Sequence, residues 1–347
     1  MNQEIWQQLL SLESRDITQQ WYSKIHEREL NARRAKEINA AAKQAREYFR
    51  NAYNSDYTVR PLLTYYGVAS LSRSLLLLLK RDGGEEGLAR GHGLMIIDWG
   101  KQLSGDLSMG LASLASLRIQ TCSGLFSDFI RGTNNRISIH VNSSGVDWRL
   151  EYDIPNEGNQ VSLGDLLARI PDLFKDYSNV SPEIKYTPVN EMSISRQNGF
   201  KAKVRREHFE TFKDTYQNMG YNIDSQDEWS TLTCNAETFT QNTPLFVHSY
   251  VHKIFGSIPG LHIAEPFSDK LAYSQLGITY LTSYFLGMLA RYFPTHWISL
   301  IQGDKGDALW PTINRAQQFV ENTYPELVIE MINDTLKENE SKSNENA

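Results

Sequence analysis

The sequence predicts an α+β protein with a mostly helical body. Two helical stretches, residues 1–130 and 270–335, flank a segment near residues 136–235 in which strand patterns prevail. We expect the flanking stretches to fold against each other into one domain spanning residues 1–335, with the β-rich segment inserted in it. Residues 337–347 are polar and almost free of apolar side chains, so we expect a disordered tail.

The N-terminal helices follow from composition. Residues 31–53 are rich in Ala, Lys, Glu, Gln and Arg, which are strong helix formers. Pro61 suits the first turn of a helix, and an apolar helix follows to about Lys80. Its run 62–79 is the one place where a membrane span would be suspected, but it contains an arginine and several hydroxyl side chains. We therefore expect a buried core helix and no membrane partner.

The middle of the chain changes to strand patterns. Residues 136–141 and 146–152 alternate in polarity and are joined by a short polar turn, which predicts a hairpin. Residues 162–177 open with a capping-box pattern and predict a short helix. Two further strands are predicted at 199–206 and 230–235.

The C-terminal part is helical again. Residues 271–293 are apolar around most of a helix circumference. Pro294 disfavours a helical conformation at the residue before it and should separate this helix from a short second one. Residues 312–336 predict one or two further helices around Pro325.

Composition limits the classes of function. The net charge of −6 argues against a surface dominated by phosphate contacts, although a local basic patch is compatible with it. Cys122 and Cys234 are too few for a disulfide framework or a cysteine-based zinc site, and the N-terminus lacks the pattern of a secretory signal, so we expect a cytoplasmic location.

No cofactor or metal is expected. Neither GxxxxGK[ST] nor GxGxxG follows a predicted strand, which removes the usual basis for ATP or NAD binding. His248 and His252 have the spacing of two metal ligands on one helical face, but neither the accompanying Glu nor a third ligand is evident.

Four segments occur in an order that resembles the YaaC-like family of bacterial proteins. These segments are RPLLTYYGVASLSRSLLL, the ARGHG turn, LRIQTCSGLF and a terminal helix ending in ARYFPTHW. The resemblance covers about residues 50–335. It implies a bacterial origin and this architecture, and it implies no particular activity. At the terminal helix the family frame consists of Arg291, Tyr292, Pro294 and Trp297.

Arg291 and His296 have the spacing used by the HEPN class of metal-independent RNA-cutting domains. In that chemistry a histidine moves the proton of the 2′-hydroxyl while an arginine stabilises the charged phosphate. Pro294 lies between the two residues, and His296 is outside the family frame, which weighs against this interpretation. A structural corner is the alternative.

A polar stripe runs along the predicted terminal helix. Tyr273, Tyr280, Tyr284 and Arg291 fall within about 40° of one another at 100° per residue. Buried hydroxyl and guanidinium groups need polar partners, so the stripe predicts either an internal network or a groove in which Arg291 and Tyr284 bind a phosphate or carboxylate.

Three more side chains are candidates for the same cleft. Arg73 interrupts the apolar helix and must pair with a carboxylate or carbonyl or extend to the surface. Arg90 and His92 lie in the glycine-rich RGHG turn, which we expect to be flexible and whose backbone N–H groups could bind an anion. A surface turn without ligand is the alternative.

Lys201, Lys203 and Arg205 would share one face of a strand. Such a row suits nucleic-acid phosphates or an acidic partner, and an ordinary solvated strand face explains it equally well.

We therefore predict a non-enzymatic bacterial interaction protein with an unidentified protein partner, in a defence or nucleic-acid-associated assembly. Nucleic acid as a partner and self-association are left open, as is enzymatic activity. The alternative is a HEPN-like ribonuclease that uses Arg291 and His296.

Overall fold

The computed structural model describes residues 2–136, 151–195, 199–210, 213–242, 247–248, 262–268 and 271–345. The chain forms two compact units. The first consists of Met1–Asn134, Ile154–Leu163 and Leu276–Ala347, and the second of Asn135–Asp153 and Gly164–Gln275. The α+β class predicted from the sequence, with a mostly helical body, is confirmed.

The helices of the described residues are α1 (Gln3–Leu9), α2 (Arg15–His26), α3 (Ala32–Asn54), α4 (Arg60–Leu79), α5 (Trp99–Leu103), α6 (Leu107–Ala112), α7 (Leu125–Gly132), α8 (Leu163–Leu167), α9 (Phe174–Tyr177), α10 (Arg206–Phe209), α11 (Lys213–Asn218), α12 (Ala236–Asn242), α13 (Gln275–Tyr292), α14 (Pro294–Gln302) and α15 (Trp310–Glu345). The strands are β1 (His92–Ile97), β2 (Arg118–Gly124), β3 (Gln160–Ser162), β4 (Tyr186–Ser195), β5 (Gly199–Arg205), β6 (Asn222–Gln226), β7 (Trp229–Cys234), β8 (Val247–His248) and β9 (His262–Ala264).

Helix α4 is a central helix of the first unit. It is buried along most of its length, as its nearly all-apolar sequence predicts. A side chain at Gly67 would place its Cβ 2.7 Å from the ring of Phe49 on α3, so glycine permits close approach of these helices. Among the described helices, α4 is long and apolar enough to cross a membrane, and 67% of its most apolar window is buried inside the chain.

A three-stranded antiparallel sheet in the order β1-β2-β3 also belongs to the first unit. Helices alone were expected over residues 1–130, so this sheet corrects the prediction. Strand β2 alternates inward and outward, with Ile119 and Thr121 buried between more exposed neighbours. Its partners come from distant parts of the sequence, which is why local patterns missed the pairing.

The C-terminal helices differ from their predicted bounds. Helix α13 begins at Gln275, so Tyr273 lies outside it, in the second unit, and does not continue the polar stripe. The break before Pro294 is present, whereas α15 runs unbroken through Pro325. Pro325 is buried within this helix, where it lacks the N–H that would donate to the preceding turn.

Helix α15 also continues through Glu345, which differs from the disordered tail predicted for residues 337–347.

The second unit contains a six-stranded antiparallel sheet in the order β6-β7-β5-β4-β9-β8. Strands β4 and β5 form one hairpin and β6 and β7 another, and β5 pairs with β7. One face carries small and apolar side chains that are packed with residues of α10, α11 and α12. This core consists of Phe200, Ala202, Val204, Phe209, Tyr216, Tyr221, Leu232, Cys234 and Phe239.

The single helix expected at residues 162–177 is instead divided into α8 and α9, because Pro171 begins a separate turn between them. Most of the hairpin expected at residues 136–152 lies outside the described residues, and a bridge between Arg136 and Glu151 marks its ends.

Candidate functional sites

The first site is built on a contact between α4 and β1. The hydroxyl of Tyr65 lies 2.6 Å from Nδ1 of His92. Tyr65 is fully buried, whereas His92 is half-buried. Burial raises the pKa of the Tyr65 phenol far above its ordinary range, so the phenol stays protonated and available for hydrogen bonding.

Glycines hold His92 in this position. Gly91 and Gly93 have φ of +82° and +76°, in the left-handed region that favours glycine. Gly93 also lies against Gly124, where an added Cβ would come 2.3 Å from the Gly93 nitrogen. The RGHG turn, predicted to be flexible, therefore leads directly into β1, and His92 is the first residue of that strand.

Helix α13 covers the other side of the pair. An added Cβ at Gly287 would lie 2.8 Å from Cβ of Tyr65, so the two helices approach closely here. The hydroxyl of Tyr284 donates to the carbonyl oxygen of Leu94 at 2.7 Å, and its ring meets that of Tyr65 edge to face. The hydrogen bond of Tyr284 thus joins α13 to β1.

Arg291 lies at the end of α13 and is exposed. Its Nη1 donates to the hydroxyl of Tyr66 at 3.0 Å, and its guanidinium carbon lies 5.0 Å from the ring centre of Tyr292. Among the described residues no carboxylate forms an ion pair with it. Burial, and secondarily the charge of Arg291, lowers the pKa of His92.

The structure does not bring the other candidates of the first unit into this contact. Arg73 is exposed on α4, so it extends to the surface and does not form a buried ion pair with a described residue. Arg90 is also exposed, just before Gly91. Neither is hydrogen-bonded to Tyr65, Tyr66 or His92 in the described part of the chain.

His296 has neighbours different from those of Arg291. Its ring meets that of Phe293 edge to face, and its Nε2 lies next to Gly110 on α6, where an added Cβ would be 2.9 Å away. Burial lowers the pKa of His296, and a backbone hydrogen bond with Leu103 opposes this shift. The backbone at Phe293 leaves helical geometry before α14, which turns His296 toward α6.

The second site is the row of basic side chains on β5. Lys201 and Arg205 are exposed, and Lys203 is partly exposed. Because alternate residues of a strand share a face, these three point away from the core that contains Ala202 and Val204. The predicted basic row therefore lies on the open face of the sheet.

Trp229 completes this open face. It pairs with Arg205 across β5 and β7, with the ring centre 5.8 Å from the guanidinium carbon and 5.0 Å from Nζ of Lys203. Glu191 on β4 lies 3.5 Å from Lys203 and partly balances the charge. Lys201 and Arg205 form no ion pair with another described residue.

Sequence reasoning missed Tyr65, Tyr66 and Trp229 as members of these sites. Tyr65 and Tyr66 lie in an apolar helix, and their hydrogen-bond partners, His92 and Arg291, belong to other elements. Trp229 could have been found from a two-residue turn after Gln226, which would pair β6 with β7.

Metal ligation has no support among the described side chains, where no group of three His, Cys, Asp or Glu residues could hold an ion. His252, one of the two histidines considered for this role, lies outside the described residues.

A family model described as YaaC-like Protein matches residues 10–332. No curated protein and no solved structure matches the chain significantly.

Proposed function

We propose that this chain, which belongs to the YaaC-like family of proteins, is a non-enzymatic interaction protein that binds single-stranded nucleic acid through the open face of its larger sheet. This binding would make the chain part of a nucleic-acid-associated assembly, for example one that acts in bacterial defence. The observation that carries the proposal is the row Lys201, Lys203 and Arg205 beside Trp229.

The chemistry of the row fits a nucleic-acid strand. Lysine and arginine neutralise phosphates, and release of counterions supplies much of the affinity. Successive members of the row are about 6.6–6.8 Å apart along an extended strand, so they can meet successive parts of one bound chain.

Trp229 adds an aromatic contact, which the binding of phosphates alone does not require. Proteins that bind single strands without strong sequence preference combine basic side chains with aromatic rings on which bases stack. The sheet leaves one side of its basic row open because the helices pack on the opposite face. An acidic protein partner would use the cations but would have less use for the tryptophan.

The proposal is tested by fluorescence anisotropy with labelled single-stranded RNA and DNA oligonucleotides of mixed sequence. We expect Lys201→Glu combined with Arg205→Glu to weaken binding strongly. Trp229→Ala should weaken it by about 5- to 150-fold, the range for loss of one stacked base. Trp229→Tyr preserves an aromatic ring and should bind nearly as well as the original chain.

Lys36→Glu is the matched control, because Lys36 is an exposed lysine on α3. Lack of binding by the original chain, or equal loss in Lys36→Glu and the double variant, would contradict the proposal.

The alternative, an RNase using Arg291 and His296, is less well supported, because these side chains have separate neighbours. Incubation with mixed RNA in EDTA decides it. Cleavage that disappears in His296→Ala would favour the alternative, and intact RNA would remove it.

A further inference from the structure

Arg291 differs from Arg60 and Arg118, two other arginines of the first unit, in its partners. Arg60 binds the carboxylate of Glu321, and Arg118 binds that of Asp98. Arg291 has the hydroxyl of Tyr66 as its hydrogen-bond partner in the described part of the chain. Its guanidinium is therefore held in place without being neutralised.

The contact with Tyr66 leaves most of the guanidinium available. One of its five N–H groups is used at Nη1, and its central carbon lies over the ring of Tyr292, 5.0 Å from the ring centre. Its edge can still present two parallel N–H groups to an oxyanion. A group held by an aromatic ring and one hydrogen bond loses little conformational entropy when a ligand binds.

His92 is linked to Arg291 through two adjacent tyrosines. Tyr65 contacts Nδ1 of His92, Tyr66 accepts from Arg291, and the two rings have centroids 5.6 Å apart. Nε2 of His92 has no hydrogen-bond partner among the described residues, so it remains for a ligand.

The charges at this position have one sign. Arg291 is the charged group that acts on His92, and no carboxylate opposes it. Burial raises the pKa of the Tyr65 and Tyr284 phenols, so both are neutral at physiological pH. A cationic position with free N–H groups favours an anion.

From this geometry we infer that Arg291, Tyr66 and His92 form a binding site for the phosphate group of a small phosphomonoester. Arg291 supplies two parallel hydrogen bonds, which match phosphate geometry. His92 supplies a third through Nε2, and Tyr66 fixes the guanidinium. The half-buried Tyr48 ring, stacked on Tyr66 with centroids 5.6 Å apart, offers an aromatic surface for a base if the phosphomonoester is a nucleotide.

This site is independent of the sheet face that carries the proposed function, because it lies wholly in the first unit. Its failure would leave the nucleic-acid proposal intact, and failure of the nucleic-acid proposal would leave this site intact.

Isothermal titration of the full chain with inorganic phosphate, adenosine 5′-monophosphate and acetate tests the inference. We expect phosphate and the nucleotide to bind and acetate to bind more weakly. Tighter binding of the nucleotide than of phosphate would show that the base stacks on Tyr48. Equal binding would show that the site recognises the phosphate group alone. No binding of either compound at about 10 mM would overturn the inference.

Variants identify the site. Arg291→Gln should weaken phosphate binding by about tenfold or more, and Arg291→Lys should recover part of the loss, because lysine retains charge without the planar fork. Tyr66→Phe should weaken binding less, through loss of orientation. Arg131→Gln is the matched control, since Arg131 is an exposed arginine of α7 in the same unit.

The NMR signals of His92 give a second measurement that a purely structural role would not change. Phosphate bound between Arg291 and His92 should raise the pKa of His92, because an anion offsets the charge of Arg291. An unchanged His92 titration at saturating phosphate, or equal weakening by Arg131→Gln, would overturn the site.

Discussion

The hydroxyl of Tyr65 and Nδ1 of His92 lie 2.6 Å apart, and this hydrogen bond joins α4 to the start of β1. Tyr65 comes from the apolar helix and His92 from the glycine-rich turn, two segments separated by 27 positions. The bond fixes one ring nitrogen of His92 and thereby defines which nitrogen is left for a ligand.

Tyr65→Phe should destabilise the chain by about 1–3 kcal/mol, because it leaves a polar ring nitrogen without its partner. The free energy of unfolding from urea titration measures this change. Tyr53→Phe is the control, since the Tyr53 side chain is 56% exposed and its hydroxyl can bond to water. Equal effects of the two substitutions would contradict the importance of the bond.

Gly287→Ala should destabilise the chain by about 1–3 kcal/mol, because the new methyl group would lie 2.8 Å from Cβ of Tyr65 and 3.2 Å from the Pro61 carbonyl oxygen. Thermal unfolding measures the loss. Gly100→Ala has nothing within 4 Å of its added Cβ and should stabilise by up to about 1 kcal/mol. A neutral Gly287→Ala would show that α4 and α13 are not closely packed here.

The sequence predicted some of these features and missed others for physical reasons. The bounds of α3 and α4 were predicted closely, since helix formers and Pro61 act locally. The pairing of β1 with β2 was missed because it depends on a contact between distant segments, where Gly93 meets Gly124.

The candidate sites show the same division. Arg291, His92 and the β5 row could be proposed from the sequence because basic or ionisable groups stand out against apolar neighbours. Tyr65 and Trp229 were missed because their roles come from a neighbour in another element. His296 is separated from Arg291 because the backbone at Phe293 has a ψ of 56°. From the sequence, Pro294 predicts only that Phe293 leaves the helical conformation.

Acid should destabilise the chain through its partly buried histidines. Burial lowers the pKa of His92 in the folded state, and the groups that face it are Tyr65, Tyr284 and Arg291. The unfolded chain therefore takes up a proton first, and stability is full above about pH 6.5 and falls as the pH decreases from there toward the folded pKa.

The measurement is urea unfolding from pH 8 to about pH 5, where most histidines titrate. His92→Gln should lose less stability than the original chain over this interval, although its stability at pH 8 is lower. His26 and His296 have pKa values lowered in the same direction, so part of the dependence will remain. An identical pH slope in His92→Gln would contradict the prediction.

The ion pair of Arg60 and Glu321 connects α4 with α15. Nε of Arg60 donates to the carboxylate at 2.8 Å, and Thr64 donates to the same group at 3.0 Å. Both charged side chains are largely buried, with 14% and 10% exposed. Glu321→Ala should therefore cost about 3–5 kcal/mol in the free energy of unfolding, because it leaves Arg60 buried without a partner.

Asp82→Ala is the control for that measurement, since the pair of Arg28 and Asp82 is exposed at both ends. Such pairs contribute at most about 1 kcal/mol. A loss in Glu321→Ala no larger than that in Asp82→Ala would contradict the close packing of the N-terminal and C-terminal helices.

The salt dependence of single-strand binding tests the central claim, the nucleic-acid role of the open sheet face, most directly. Three cations on the strand should give a slope of about −2 in a plot of log affinity against log salt concentration, at about −0.7 per neutralised phosphate. Lys201→Glu combined with Arg205→Glu should bring the slope close to zero. Binding that does not depend on salt, or a slope that the double variant leaves unchanged, would contradict the account.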